Sequence, residues 1–314
     1  MRYLEAFPFD ELEGLGGVMA TPSAHRDLGN DGFQDGYGCR FRYMGVGLPY
    51  CVYSPLAGAG TVAEVEAFPW PDPEAPEWIA PDAAAKAEAK RQSTDGLIAV
   101  GIPPLFHQYH YLRGFEAWML DIAENRAVHE AIAGRLHHIH KTLILRLLAE
   151  VAPFVDLVST GDDLGHSTAP YMSPADLRAL VKPRYADLIG SIKGRWPHLK
   201  FYLHSHGQIM DFVPDLVECG VDVLNPVLPL DHMDAKALKR DFGSQLTFHG
   251  GIDIERIVPF GTVREVRDHV REVIDILGPG GGYWLKCQAI SPVMPPANVM
   301  AAYDGALEYG VHGS

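Results

Sequence analysis

The chain has 314 residues, 47% hydrophobic and 21% charged, a globular balance with ample material for a core, which excludes a disordered chain. Its 26 Lys and Arg against 40 Asp and Glu give a formal charge of -14, which repels phosphate backbones and anionic lipid, so nucleic acid and membrane surfaces are not expected partners. No stretch of about 18 apolar residues occurs, so no membrane span is expected.

Taken from the N-terminus, Glu5, Asp10, Glu11 and Glu13 occupy the region where a signal peptide needs basic and then apolar residues. Cys39, Cys51, Cys219 and Cys287 are scattered without a CxxC pair, unlike a disulfide framework or zinc ribbon. Together these features point to the cytoplasm. LGGVMA at 15 to 20 reads as a first β-run, and residues 35 to 95 then break the rhythm. There CRFRYM and YCVYSPL suggest a hairpin, FPWPDPEAPEWIAP is too proline-rich for regular structure, and DAAAKAEAK suggests a helix. Gly58 to Ala63 fits a loose dinucleotide fingerprint, but it does not open a full helix and carries little weight.

From residue 97 onward, β-rich runs alternate with amphipathic helical stretches: 97–102, 154–160, 199–204, 221–226, 246–250 and 282–287. The long stretch from Phe115 repeats its apolar residues at three and four, with His137, His138 and His140 expected on a solvated face. Ser173 and Pro174 mark a helix start as N-cap and first helical residue. With the run at 15 to 20 there are seven strands, so a single α/β domain over 1–314 of the (β/α)8 TIM-type is expected, its first strand missing or replaced.

In such a barrel, chemistry sits at the carboxyl ends of the strands. The polar residues there are Asp162 and Asp163, His204 and His206, Asn225, His249 and Asp253, and Cys287. His204 and His206, two apart, share an orientation in extended backbone, and Cys287 can complete a His2Cys set suited to Zn2+. The alternative is that one histidine caps its strand, the other meets solvent, and Cys287 is a small core residue. Asp162 and Asp163 can act as acid and base, as ligands, or as a cap. His249 beside two glycines can orient substrate or mark a tight turn, and His107 with His110 can line the mouth.

The strings GDDLG, SPADLRALVKPRYADLI, HSHG, GVDVLNPV, FHGGID and GPGGGYWL, in this order, resemble the uroporphyrinogen decarboxylase superfamily over roughly residues 97 to 310. The chain offers no arginine-bearing N-terminal segment like the one with which the decarboxylases grip propionates. It is more similar to the corrinoid-linked methyltransferases, which carry His-x-Cys after the fifth strand and a cysteine after the last, holding zinc. His204 and Cys287 match that pattern, whereas His206 stands where it has cysteine and the spacing after Cys287 is off by one.

The resemblance implies methyl transfer between a corrinoid (methylcobalamin) carrier, such as a partner corrinoid protein would bring, and a thiol or folate acceptor. His204, His206 and Cys287 would hold Zn2+, and Asp163 would serve as ligand or base. Asn225, Asp253 and His249 would orient the small-molecule donor or acceptor, with His107 and Arg113 at the mouth, and a homodimer is expected. Two rivals stand beside it. One is a cofactor-free carboxy-lyase using Asp162 or Asp163 with Arg113, Lys182, Arg184 and Lys286 as anchors, and the other is a degenerate, non-catalytic paralogue.

Overall fold

The six β-runs from residue 97 onward become parallel strands, five of them shorter than the apolar stretch by one to three residues and Thr247–Gly251 equal to it in length. The computed structural model describes residues 13–14, 26–29, 32–44, 49–287 and 291–310. Seven parallel strands occur among the described residues, interspersed with helices. The chain forms two units, Met1–Gly161 with Pro183–Lys200 and Asp162–Lys182 with Phe201–Ser314.

In the first unit β1 (Glu13–Gly14) pairs in parallel with β6 (Ile98–Gly101), and β6 with β7 (Leu157–Gly161). The expected run at 15 to 20 lies outside the described residues. The excursion is an antiparallel sheet of β2 (Arg26–Gly29), β3 (Gly32–Gln34), β4 (Arg40–Arg42) and β5 (Tyr50–Tyr53). The expected hairpin is its β4–β5 half. β2 and β3 are too short and polar to show in the sequence.

The alanine-rich segment is the helix Ala83–Ser93. Thr61 caps Val62–Glu66 in a capping box, and the Glu64 carboxylate takes the amides of Gly60 and Thr61. The glycine-rich look-alike thus spends its donors on its own chain rather than on a phosphate.

The helix Arg126–Val151 buries Ile132, Leu136, Ile139, Leu143, Ile144, Leu147 and Val151, one stripe at spacings of three and four. The solvated face expected for its histidines is a misassignment. His140 is fully buried and bonds the Tyr37 hydroxyl at 2.7 Å, and burial lowers its pKa to about 3; His137 pairs with Asp187 at 2.6 Å, and His138 alone is exposed. Imidazole is apolar enough to extend the stripe wherever one buried partner takes its proton or lone pair.

In the second unit a short antiparallel pair, β8 (Gly165–His166) and β9 (Ala169–Pro170), precedes β10 (Lys200–His204), β11 (Val223–Asn225), β12 (Thr247–Gly251) and β13 (Tyr283–Lys286), which run in parallel in that order. The helix Val263–Leu277, capped by Thr262, buries Val266, Val270, Val273, Ile274 and Leu277. The register sets His204 beside Asn225 and His249 beside Trp284, so the strand ends define the polar cluster described below.

Arg113 has a structural setting. Its guanidinium is 7% exposed and grips Asp121 through Nε at 2.7 Å and Nη2 at 3.2 Å, while Nη1 donates to the carbonyls of Leu56 and Ala57. Removing one partner of such a pair strands a buried charge, whereas replacing both with apolar groups removes the need for it. Arg113→Met is therefore expected to lower stability by about 3–5 kcal/mol, read as a fall in the urea midpoint. Adding Asp121→Leu should recover most of the loss, and a neutral single variant would contradict the buried pair.

Candidate functional site

His204 ends β10 and Asn225 ends β11, in direct register. Their side chains meet, with His204 Nδ1 2.6 Å from Asn225 Oδ1. The Asn225 amide nitrogen donates to the His249 carbonyl at 2.9 Å, so three strand ends are tied through one side chain. Gly250, the next residue of β12, stands at φ +108°, a backbone conformation that side-chain-bearing residues rarely adopt, so glycine suits the chain just beyond this carbonyl.

His206 lies past the end of β10, so loop bonding rather than strand alternation sets its place. The loop is pinned at each residue. The Ser205 amide donates to the Asn225 carbonyl at 2.7 Å, the His206 amide to Asp163 Oδ1 at 2.8 Å, and the Gly207 amide to Asp231 Oδ2 at 3.2 Å. The two imidazoles then stand edge to face with centroids 4.9 Å apart. The loop, rather than strand alternation, thus brings the two rings side by side.

The neighbours treat the two rings oppositely. Burial, only partly offset by Asn225 and Asp163, lowers the pKa of His204 and favours the neutral ring. His206 is raised, first by Asp231, whose carboxylate lies 3.5 Å from Nδ1. Asp231 is lowered despite its burial, because His206 and the Gly207 amide hold the charged form. The remaining nitrogen of His204, Nε2, lies 3.9 Å from Asp163 Oδ1. A lone pair beside a carboxylate can take up a proton or a cation.

His249 sits beneath this cluster. It is 2% exposed, stacked 4.1 Å from Trp284 and bonded to the Tyr202 hydroxyl at 3.0 Å, and burial drives its pKa down to about 3. It acts as a neutral floor that supplies its carbonyl to Asn225. Asp162 is fully buried, and its amide donates to the His204 carbonyl. Asp253 caps the next turn by accepting the amides of Glu255 and Arg256, which leaves Oδ2 3.8 Å from Arg256.

Cys287 is 2% exposed, and burial raises its thiol pKa to about 12, so by itself it stays protonated. Among the described residues no group of three or more His, Cys, Asp or Glu side chains is placed to hold a metal ion. His204 and His206 are therefore brought together, and the three-ligand set expected with Cys287 is not. His107 lies in the first unit, its ring 5.4 Å from that of His110.

Sequence reasoning missed Asp231 and Tyr202. Asp231 follows β11 in the string PLDH, and its sign was an acidic residue after a strand end. Tyr202 lies inside an apolar run and had none.

The uroporphyrinogen decarboxylase (URO-D) family model matches residues 106–309. No curated protein matches the sequence. Among solved structures, a methyltransferase from Methanosarcina mazei is similar at a TM-score of 0.65 and 18% identity, over 88% of this chain and 77% of that one. A psychrophilic glycoside hydrolase family 10 endo-β-1,4-xylanase has a TM-score of 0.42 and 10% identity over 74% and 83%, too slight to bear on the reading. The family and the methyltransferase likeness give the fold class as an α/β barrel of (β/α)8 type.

Two measurements check this geometry. Gly207 stands at φ +96°, and an added Cβ would come within 2.3 Å of the Gly165 backbone. Gly207→Ala should therefore displace the loop and cost well over 1 kcal/mol, read by denaturant unfolding. The His206–Asp231 pair should show in the pH dependence of stability. A raised histidine stabilises below its unfolded value of 6.5 and loses this as pH rises through its folded value, while a lowered aspartate stabilises above 3.8 and loses this as pH falls. The stability gap between wild type and His206→Gln should be widest between these two values and shrink on the alkaline side, and a gap that grows with pH would contradict the pair.

Proposed function

This chain belongs to the uroporphyrinogen decarboxylase family, and we propose that within it the protein is a methyltransferase, moving a methyl group between a corrinoid carrier and a thiol or folate acceptor. The observation that carries this reading is the fate of the cations. A lyase acting on acidic substrates needs free positive anchors, and three of the four candidates are already committed. Arg113 pairs with Asp121, Lys182 with Asp215 and Glu218, and Arg184 with Glu130. Only Lys286, at the end of β13, has no side-chain hydrogen bond or ion pair among the described residues. The likeness in fold to a methyltransferase points the same way.

In this reading the corrinoid supplies the activated methyl group when bound, and the chain's own residues manage the acceptor. His204, held neutral by burial, receives the acceptor's proton on Nε2. Asp163, 3.9 Å away, stabilises the imidazolium that results. His206, biased toward its charged form by Asp231, stands beside it as a proton donor. Zinc on His204, His206 and Cys287 is the metal the sequence pattern suggests. Because these residues are not gathered around one point, no step is routed through it.

Incubating the purified protein with methylcobalamin and a panel of thiols and tetrahydrofolate tests the reading. Loss of the methylcobalamin absorbance is expected with at least one acceptor, and His204→Ala should slow it by about 10²-fold or more. Release of carbon dioxide from acidic substrates, with methylcobalamin untouched, would replace it by the lyase. Elemental analysis of the same protein would show about one zinc per chain, lost in His204→Ala and Cys287→Ala, for a metal enzyme.

A further inference from the structure

A backbone carbonyl can only accept a hydrogen bond, and this fact propagates through the strand ends. The His249 carbonyl lies 2.9 Å from one terminal atom of the Asn225 side chain, so that atom is the amide nitrogen. Turned the other way, the amide would face two oxygens at that distance, unbridged by any proton. The opposite terminal atom, 2.6 Å from His204 Nδ1, is therefore the amide oxygen, itself an acceptor. A contact this short needs a proton, and only His204 Nδ1 can supply it.

We propose that Asn225 is a positioning residue that locks His204 as its Nδ1–H tautomer, leaving Nε2, the nitrogen beside Asp163, as the bare atom that meets a ligand. The unconstrained histidine side chain in water favours the opposite tautomer, with the proton on Nε2, so without this contact the ring would present a donor where the site needs an acceptor. The relay has fixed ends. His204 and Asn225 are in strand register, and the carbonyl belongs to β12, the strand paired with β11. Asn225 itself is fully buried, so its place is behind the imidazole and not against substrate.

The assignment concerns the site whatever reaction it serves, so its test is independent of methyl transfer. Protein labelled with [15N]histidine is examined by long-range 1H–15N correlation spectra at a pH where His204 is neutral, its signals identified by their loss in His204→Gln. In wild type, His204 Nδ1 should resonate at the protonated, pyrrole-type position and Nε2 at the unprotonated, pyridine-type position. Asn225→Ala should exchange the two, because no acceptor then faces Nδ1 and the proton is free to take the nitrogen that an unconstrained histidine favours. A wild-type spectrum with the proton on Nε2 overturns the proposal without recourse to any variant. An unchanged pattern in folded Asn225→Ala would equally overturn it, since a merely structural asparagine would not move the proton.

Discussion

The hydrogen bond from the His206 amide to Asp163 is the contact on which the arrangement depends. It joins the segment that follows β7 to the loop that follows β10, and it acts at both ends. Asp163 is held where its carboxylate lies beside His204 Nε2, and the loop is held where His206 reaches Asp231. His206, past the end of β10, has no strand pairing to fix it. Without the Asp163 anchor, the opposite biases of the two rings would have no fixed geometry to act through.

Much of this was legible in the residues because a parallel sheet advertises itself. The strands are apolar runs, and the residues that end them are the first polar ones. His204, Asn225 and Asp163 were found in this way, and the structure gathers them. Relationships across the sheet were not legible. Nothing local distinguishes Asn225 as a support for His204 from Asn225 as a substrate ligand, because the difference lies in strand register and in one carbonyl 24 residues away. The sequence equally offered His140 as a surface residue and Arg113 as an anchor. Both proved to be interior groups whose partners, Tyr37 and Asp121, are not apparent from periodicity.

Cys287 illustrates how burial can narrow a chemical role. A thiol with its pKa near 12 is a poor nucleophile and a poor ligand until a cation or a conformational change lowers that value. His204 needs no such help, since its burial favours the neutral, lone-pair-bearing form that proton acceptance requires. The division of labour in the site therefore rests on the imidazoles and Asp163, with Cys287 beneath the surface.

The way the chain alternates between its two units carries a consequence for its synthesis. Residues 162–182 belong to the second unit, yet they are made before 183–200, which complete the first. When residue 200 leaves the ribosome the first unit has all its parts, but the intervening segment does not. Leu164, Leu177, Leu180 and Val181, all buried in the finished protein, must wait for strands not yet translated. At about 5–20 residues per second the wait is on the order of ten seconds. During that time an apolar stretch carrying Asp162 and Asp163 is held between two segments of the first unit without the residues of its own unit that follow position 200.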